Sequence, residues 1–187
     1  MSRLSPLTIE GLSAEQRAVL DAIRSGPRGD MGLAGPFGVY VRAPVVGNAT
    51  QALGAAVRFG TELPENVKEV AILTVGSFYH AKFEFAAHKR LGIKAGVDAG
   101  IVEALRRGEP PVFSDPDEEI AHRVVRALLT DHRLDDATYR AAYERLGEQR
   151  LVELVLTVGY YGLVALTLNA FEVPLGAGME DPFPELP

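Results

Sequence analysis

The 187-residue chain contains no cysteine and no tryptophan. The absence of cysteine excludes disulfides, thiolate metal ligands and every thiol-based redox mechanism. The chain also has no excess of positive charge, because 19 Lys and Arg residues face 25 Asp and Glu residues, a formal net charge of −6. Domains that bind nucleic acid usually present a basic face. We therefore expect no nucleic-acid partner.

Long uninterrupted apolar runs are absent as well. The stretch before Gln16 has no apolar run typical of a secretory signal. The segment 151–171 approaches the length of a membrane-spanning helix, but Glu153, Tyr160 and Asn169 within it favour a buried helix of a globular protein. From these features we expect a cytoplasmic protein with no membrane partner.

The composition that remains is that of an ordinary globular domain, with 47% hydrophobic and 24% charged residues. Apolar residues recur with helical spacing, and no alternating pattern with hairpin turns predicts strands. We predict an all-α fold with a single helical domain over residues 1–173. The Pro/Gly-rich segment 174–187 is predicted to be an extended tail.

Proline at helix starts and glycine just past helix ends mark the predicted helices. Ser13 and Gln16 form a capping-box signature for the first helix. An apolar Gly/Pro-rich loop over 28–42 is expected to pack over a core or line a pocket. The predicted helices are 13–26, 44–59, 64–92, 97–107, 115–130, 135–146 and 149–171.

The sequence LTVG occurs twice, at 73–76 and at 156–159, each time inside a long apolar segment. Glycine in the middle of a helix costs roughly 1 kcal/mol relative to alanine. The repeat predicts two long central helices that cross closely at Gly76 and Gly159. A coincidence between two Val/Leu-rich helices is the alternative.

The stretch YHAKFEFAAH places His80, Glu84 and His88 four residues apart, on one face of a helix. The two histidines would lie about 12 Å apart along the axis of a regular helix, too far to share one metal ion. A metal site would need Glu84 and His88 plus a distant ligand, such as Glu69 or His122. We favour an interpretation without metal or cofactor.

Acid–base chemistry is the alternative that fits the same row better. A glutamate and a histidine in contact within an apolar environment have coupled, shifted proton affinities, which suits proton transfer near neutral pH. Phe83 and Phe85 supply such an environment around Glu84 and His88. The competing interpretation is a surface pair that stabilises the helix by a few tenths of a kcal/mol.

Three charged residues outside the row are further candidates. Arg58 follows an apolar helix, and Arg42 precedes Ala43-Pro44. Either arginine could anchor an anionic substrate, although a solvated side chain is the simpler interpretation for each. Glu69 precedes a Val/Ala/Ile/Leu run, where a half-buried carboxylate would need a partner.

Several segments together resemble a known family. PENVKEVAIL spans 64–73 and FEFAAH spans 83–88, while GPF at 35–37 and GYY at 159–161 extend the similarity. This combination resembles the carboxymuconolactone decarboxylase family. The resemblance implies an alkyl hydroperoxidase D-like multi-helix fold that assembles as a homo-oligomer, a trimer or a hexamer.

The family has two chemical branches. In the peroxidase branch, two cysteines would fall on Ala81 and Glu84, and a relay glutamate would fall on Glu69. The thiol peroxidase mechanism is therefore excluded here. In the decarboxylase branch, a glutamate lies four residues before a histidine, as Glu84 lies before His88. The substrate of that branch is a small carboxylated lactone from the breakdown of aromatic compounds.

We interpret the chain as a cofactor-independent acid–base enzyme. Its expected activity is that of a lyase or decarboxylase on a small anionic lactone or enol-type carboxylate. The alternatives are a non-catalytic oligomeric binding or accessory protein, and a metal-dependent enzyme. The predicted catalytic residues are His88, Glu84 and Glu69. The predicted substrate-binding residues are His80, Tyr79, Arg58, Arg42 and Tyr160.

Overall fold

The computed structural model describes residues 2–185, so Met1 of the predicted domain and residues 186–187 of the predicted tail lie outside it. Within this range the chain forms eight helices and no strand, which confirms the all-α class. The helices are α1 (Ala14–Ser25), α2 (Phe37–Tyr40), α3 (Pro44–Phe59), α4 (Glu65–Phe78), α5 (Lys82–Ala95), α6 (Ala99–Arg107), α7 (Pro116–Thr130) and α8 (Asp136–Ala170).

Most helix ends follow from local chemistry. The Ser13 hydroxyl accepts a hydrogen bond from the backbone of Gln16, and the Gln16 side chain accepts one from the backbone of Ser13, which confirms the capping box. Pro44 occupies the first turn of α3 and Gly60 ends it. Inside α8, Gly147 has a positive φ of 78° and kinks the helix. The kink lies between the two predicted helices 135–146 and 149–171.

The prediction of a single helix over 64–92 is wrong. α4 ends at Phe78 and α5 begins at Lys82, because His80 adopts a left-handed φ of 49°. The amide of Ala81 donates to the Gly76 carbonyl at 2.8 Å, and the amide of His80 donates to the Ser77 carbonyl at 3.0 Å. This pattern is a Schellman motif, which ends a helix and reverses the chain. His80 therefore does not share a helix face with Glu84 and His88.

The predicted crossing of Gly76 and Gly159 is also wrong. A Cβ at Gly76 would lie 3.3 Å from Oε1 of Glu84, so this glycine makes room for α5. A Cβ at Gly159 would meet nothing within 4 Å, because this glycine lies on the exposed side of α8. The repeated LTVG thus marks two different environments.

α4 is the central helix of the fold. Every residue from 67 to 76 is buried, and α5, α7 and α8 pack around this helix. The tail covers the outer side of α5, where Phe183 is 1% exposed and packs against the ring of Phe85 at 5.1 Å. Asp181 pairs with Lys82 at 3.0 Å. The tail therefore completes the core on the side of α5.

Among the helices of residues 2–185, α8 alone is long and apolar enough to cross a membrane by length and composition. Its most apolar window has a mean hydropathy of 1.8, and half of that window is buried inside the structure. A core helix of a globular protein meets the same criterion. The expected cytoplasmic location and the expected absence of a membrane partner therefore stay predictions.

Candidate acid–base site

A buried histidine and a buried carboxylate meet between α4 and α5. His88 Nδ1 lies 2.7 Å from Oε2 of Glu69, and Glu69 is fully buried while His88 is 9% exposed. A carboxylate oxygen accepts hydrogen bonds, so we assign Nδ1 as the donor of this pair. The contact fixes the orientation of the ring and leaves Nε2 as the free nitrogen.

Arg58 supports this pair from the end of α3. Its Nη2 lies 3.0 Å from Oε1 of Glu69, and its Nη1 lies 2.6 Å from Oε2 of Glu65. The ammonium group of Lys68 also contacts Glu65, at 2.9 Å. Arg58 therefore lies at the site as predicted, but two carboxylates already compensate its charge. It places a positive charge beside the buried carboxyl group of Glu69.

Glu84 is the third titratable group. The residue is 2% exposed, and neither carboxyl oxygen has a hydrogen-bond partner among the described residues. Burial raises the pKa of Glu84 well above its usual range. Burial therefore favours the protonated, neutral form of this carboxyl group. It does not hydrogen-bond to His88, which pairs with Glu69 instead.

Glu84, His88 and Arg58 line one cavity of about 340 Å³. This volume is at the small end of the range for pockets that bind small molecules. The ring of Tyr161 packs edge-on against the His88 imidazole at 5.0 Å. The apolar and aromatic wall consists of Met31, Pro36, Phe37, Phe59, Phe83, Ala87, Leu91, Tyr160, Tyr161, Val164 and Leu168.

The Gly/Pro-rich loop contributes a cation that the sequence analysis did not single out. Arg28 lines the cavity, with its guanidinium carbon 5.5 Å from the Phe37 ring centre and 5.9 Å from that of Phe59. The loop itself was expected to line a pocket. Nothing in the sequence distinguished Arg28 from the other arginines, since its aromatic neighbours come from α2 and α3.

The predicted substrate-binding residues divide into two groups. Tyr160 and Arg58 line the cavity, whereas Tyr79, His80 and Arg42 do not. His80 is exposed and contacts the ring of Phe183 at 5.4 Å. Tyr79 lines an open groove on the outer side of α8. The guanidinium of Arg42 donates to the backbone carbonyls of Ser5 and Gly38.

His122, the distant metal ligand considered above, lies on the α7 side of α4. Its Nδ1 is 3.0 Å from the Thr74 hydroxyl, and burial together with the nearby Arg126 lowers its pKa to about 4. Within residues 2–185 no three His, Asp or Glu side chains are grouped to hold a metal ion. His122 and His88 therefore do not form one site.

Comparisons with known proteins add no relative. No protein-family model matches the chain, and no curated protein matches it. The resemblance to the carboxymuconolactone decarboxylase family accordingly rests on the segments quoted above.

Proposed function

We propose that this protein is an acid–base enzyme in which His88 and Glu84 transfer protons to and from a small organic substrate. One observation carries the proposal: the buried Glu84 carboxyl has no hydrogen-bond partner, and it shares an apolar cavity with a histidine held by Glu69. A buried polar group without a partner is costly. A substrate atom that accepts its proton would supply the missing partner.

The two groups are prepared for opposite roles. Burial raises the pKa of Glu84, and the protonated form that it favours is suited to donate a proton. His88 directs Nδ1 to Glu69, so its Nε2 is suited to accept one. Enzymes obtain an acid and a base at one pH by placing two titratable groups in such different environments.

Decarboxylation of a lactone or enol-type carboxylate is the reaction we propose, without a cofactor. The bond between the substrate carbon and its carboxylate breaks, CO₂ leaves, and the electron pair enters a conjugated system. Glu84 delivers a proton to the carbon that receives this electron density. Glu84 then regains a proton from solvent, with His88 able to relay it.

The family resemblance supports this choice, because Glu84 and His88 have the spacing of the decarboxylase branch. The same resemblance leads us to propose an alkyl hydroperoxidase D-like arrangement and a homo-oligomer, a trimer or a hexamer. Exposed apolar residues on α8 support self-association, since large apolar patches usually mark interaction surfaces. These residues include Val152 (54% exposed), Leu156 (54%) and Leu166 (57%). Light scattering after size-exclusion chromatography measures the number of subunits.

Turnover of a panel of small lactone and enol carboxylates, followed by CO₂ release, tests the proposal. We expect His88→Ala to abolish turnover without changing the number of subunits, and Glu84→Gln to lower it by about 10²-fold or more. His132→Asn is the control, because His132 is exposed on the turn after α7. Unchanged turnover in His88→Ala would contradict the proposal.

A non-catalytic binding protein is the second candidate, favoured by the largely apolar wall of the cavity. In that case panel compounds would bind to the wild type and to Glu84→Gln alike, and none would be consumed. A metal-dependent enzyme would instead retain stoichiometric metal after purification without a histidine tag, and His88→Ala would lose it.

A further inference from the structure

The two arginines that line the cavity differ in their electrostatic state. Arg58 contacts Glu65 and Glu69, so its charge is compensated. Arg28 makes no ion pair with any carboxylate in residues 2–185. Its Nη1 donates to the backbone carbonyl of Gln51 at 3.1 Å, and its side chain also hydrogen-bonds to the Tyr160 hydroxyl. Arg28 is therefore the uncompensated cation of the cavity.

The side chain of Arg28 is oriented by its surroundings. The rings of Phe37 and Phe59 flank the guanidinium, which favours a fixed plane. Nη1 donates to Gln51 and the side chain also contacts Tyr160, which leaves further donors of the planar group for a ligand. A guanidinium with free donors in fixed geometry is suited to bind a carboxylate.

Tyr160 converges on the same point from α8. A Cβ placed on the buried Gly54 would lie 1.9 Å from the Tyr160 hydroxyl oxygen and 2.6 Å from Arg28 Nη2. Both polar groups therefore occupy space that only a glycine at position 54 leaves open. The hydroxyl and the guanidinium together form a second polar region of the cavity, besides Glu84, His88 and Arg58.

We propose that Arg28 and the Tyr160 hydroxyl bind the single anionic group of a flat, one-ring ligand whose other end reaches Glu84 and His88. This inference rests on the proposed function, since it names the substrate class of the same site. It differs from the expectation drawn from the sequence, because it assigns the anion to Arg28 rather than to Arg58 or Arg42.

Charge and volume restrict the ligand to a monoanion of this size. A second carboxylate would lie against an apolar wall or near the carboxyl group of Glu69, without a free cation among the lining residues to pair with it. An unpaired buried charge carries a large desolvation cost. The cavity of about 340 Å³ holds a one-ring compound.

Calorimetric titration with three matched compounds tests the inference: benzoate, benzamide and benzene-1,4-dicarboxylate. We expect the wild type to bind benzoate at least about tenfold more tightly than the neutral amide or the dianion. Arg28→Gln should remove this preference, and Arg28→Lys should restore part of it. Arg42→Gln is the control, because Arg42 lies outside the cavity; thermal unfolding establishes that each variant is folded.

A pair of glycine variants provides a second test. Gly54→Ala would drive a Cβ into Tyr160 and Arg28, whereas Gly159→Ala adds a Cβ to open space on an exposed helix face. Alanine is the better helix former by about 1 kcal/mol in both cases. We therefore expect Gly54→Ala to lose benzoate affinity by about tenfold or more and Gly159→Ala to keep it.

The outcomes separate this inference from the proposed function. Equal binding of benzoate and benzamide, unchanged benzoate affinity in Arg28→Gln, or no binding of any compound would overturn the anion subsite. Equal binding of the dianion would overturn the restriction to monoanions. Each result leaves the roles of Glu84 and His88 to be decided by turnover. If His88→Ala kept wild-type turnover while the wild type still preferred benzoate, the proposed function would be refuted and the anion subsite would stand.

Discussion

His88 and His122 both pack against α4, from opposite neighbours, and they have different partners. His88 on α5 pairs with the buried carboxylate of Glu69 and borders a cavity. His122 on α7 contacts the Thr74 hydroxyl and the ring of Phe113, 5.4 Å away. Burial alone therefore does not distinguish the two histidines; their hydrogen-bond partners do. A carboxylate partner on Nδ1 and a position in the wall of a cavity distinguish His88.

We expect the largest difference in turnover when the hydrogen-bond partner of each histidine is removed. Glu69→Gln should lower turnover by about 10²- to 10⁴-fold, because an amide no longer selects the tautomer that leaves Nε2 free to accept a proton. Thr74→Val removes the partner of His122 and should leave turnover close to that of the wild type. Steady-state kinetics on a turned-over panel compound measures both effects. Equal losses in the two variants would refute the distinction between the histidines.

Glu84 should make the protein less stable as the pH rises. Its folded-state pKa is raised by burial, so the folded state holds a proton that the unfolded state releases above about pH 4.5. Stability is then fully present below pH 4.5 and falls by up to about 1.4 kcal/mol per pH unit above it. Urea denaturation between about pH 5 and pH 9 measures the free energy of unfolding of the wild type and of Glu84→Gln. We expect the variant to lose this slope, and parallel curves would contradict the assignment.

His122 should produce the opposite slope, over a narrower range. Burial holds its folded-state pKa at about 4, below the ordinary value of 6.5, so the unfolded state binds the proton first. Stability is present above pH 6.5 and declines towards pH 4, by up to about 1.4 kcal/mol per unit. The same denaturation series on His122→Gln should show a flatter curve in this range. An unchanged acid slope would show that His122 is not buried in its neutral form.

Helix boundaries were predictable where local chemistry decides them. The capping box at Ser13, Pro44 at the start of α3 and the glycine after Phe59 act within a few residues of the boundary. The break between α4 and α5 was not predictable in this way. No Gly or Pro marks the residues from Tyr79 to Ala81, and His80 takes the left-handed conformation that glycine usually supplies.

The candidate site shows the same division. Glu84, His88 and Glu69 were proposed from spacing, burial pattern and resemblance, and the structure brings them together. The contact itself differs from the expected one, because His88 hydrogen-bonds to Glu69 rather than to Glu84. Sequence spacing shows which residues lie one turn apart on one helix. It does not show which carboxylate a neighbouring helix presents.

The helical class and most helix ends could be predicted from the sequence, because helical spacing and capping act between residues close in the chain. The absence of thiol chemistry follows from the absence of cysteine. The burial of Glu84 and the ion-pair partners of Arg58 and Arg28 became known only from the tertiary structure. Burial raises the pKa of Glu84 and favours its neutral form, because α4 and the cavity wall exclude water from it. Arg58 is compensated by Glu65 and Glu69, which α4 presents to it, whereas Arg28 has no carboxylate partner within residues 2–185. Desolvation and pairing depend on which surfaces the fold brings together, and no local pattern contains that information.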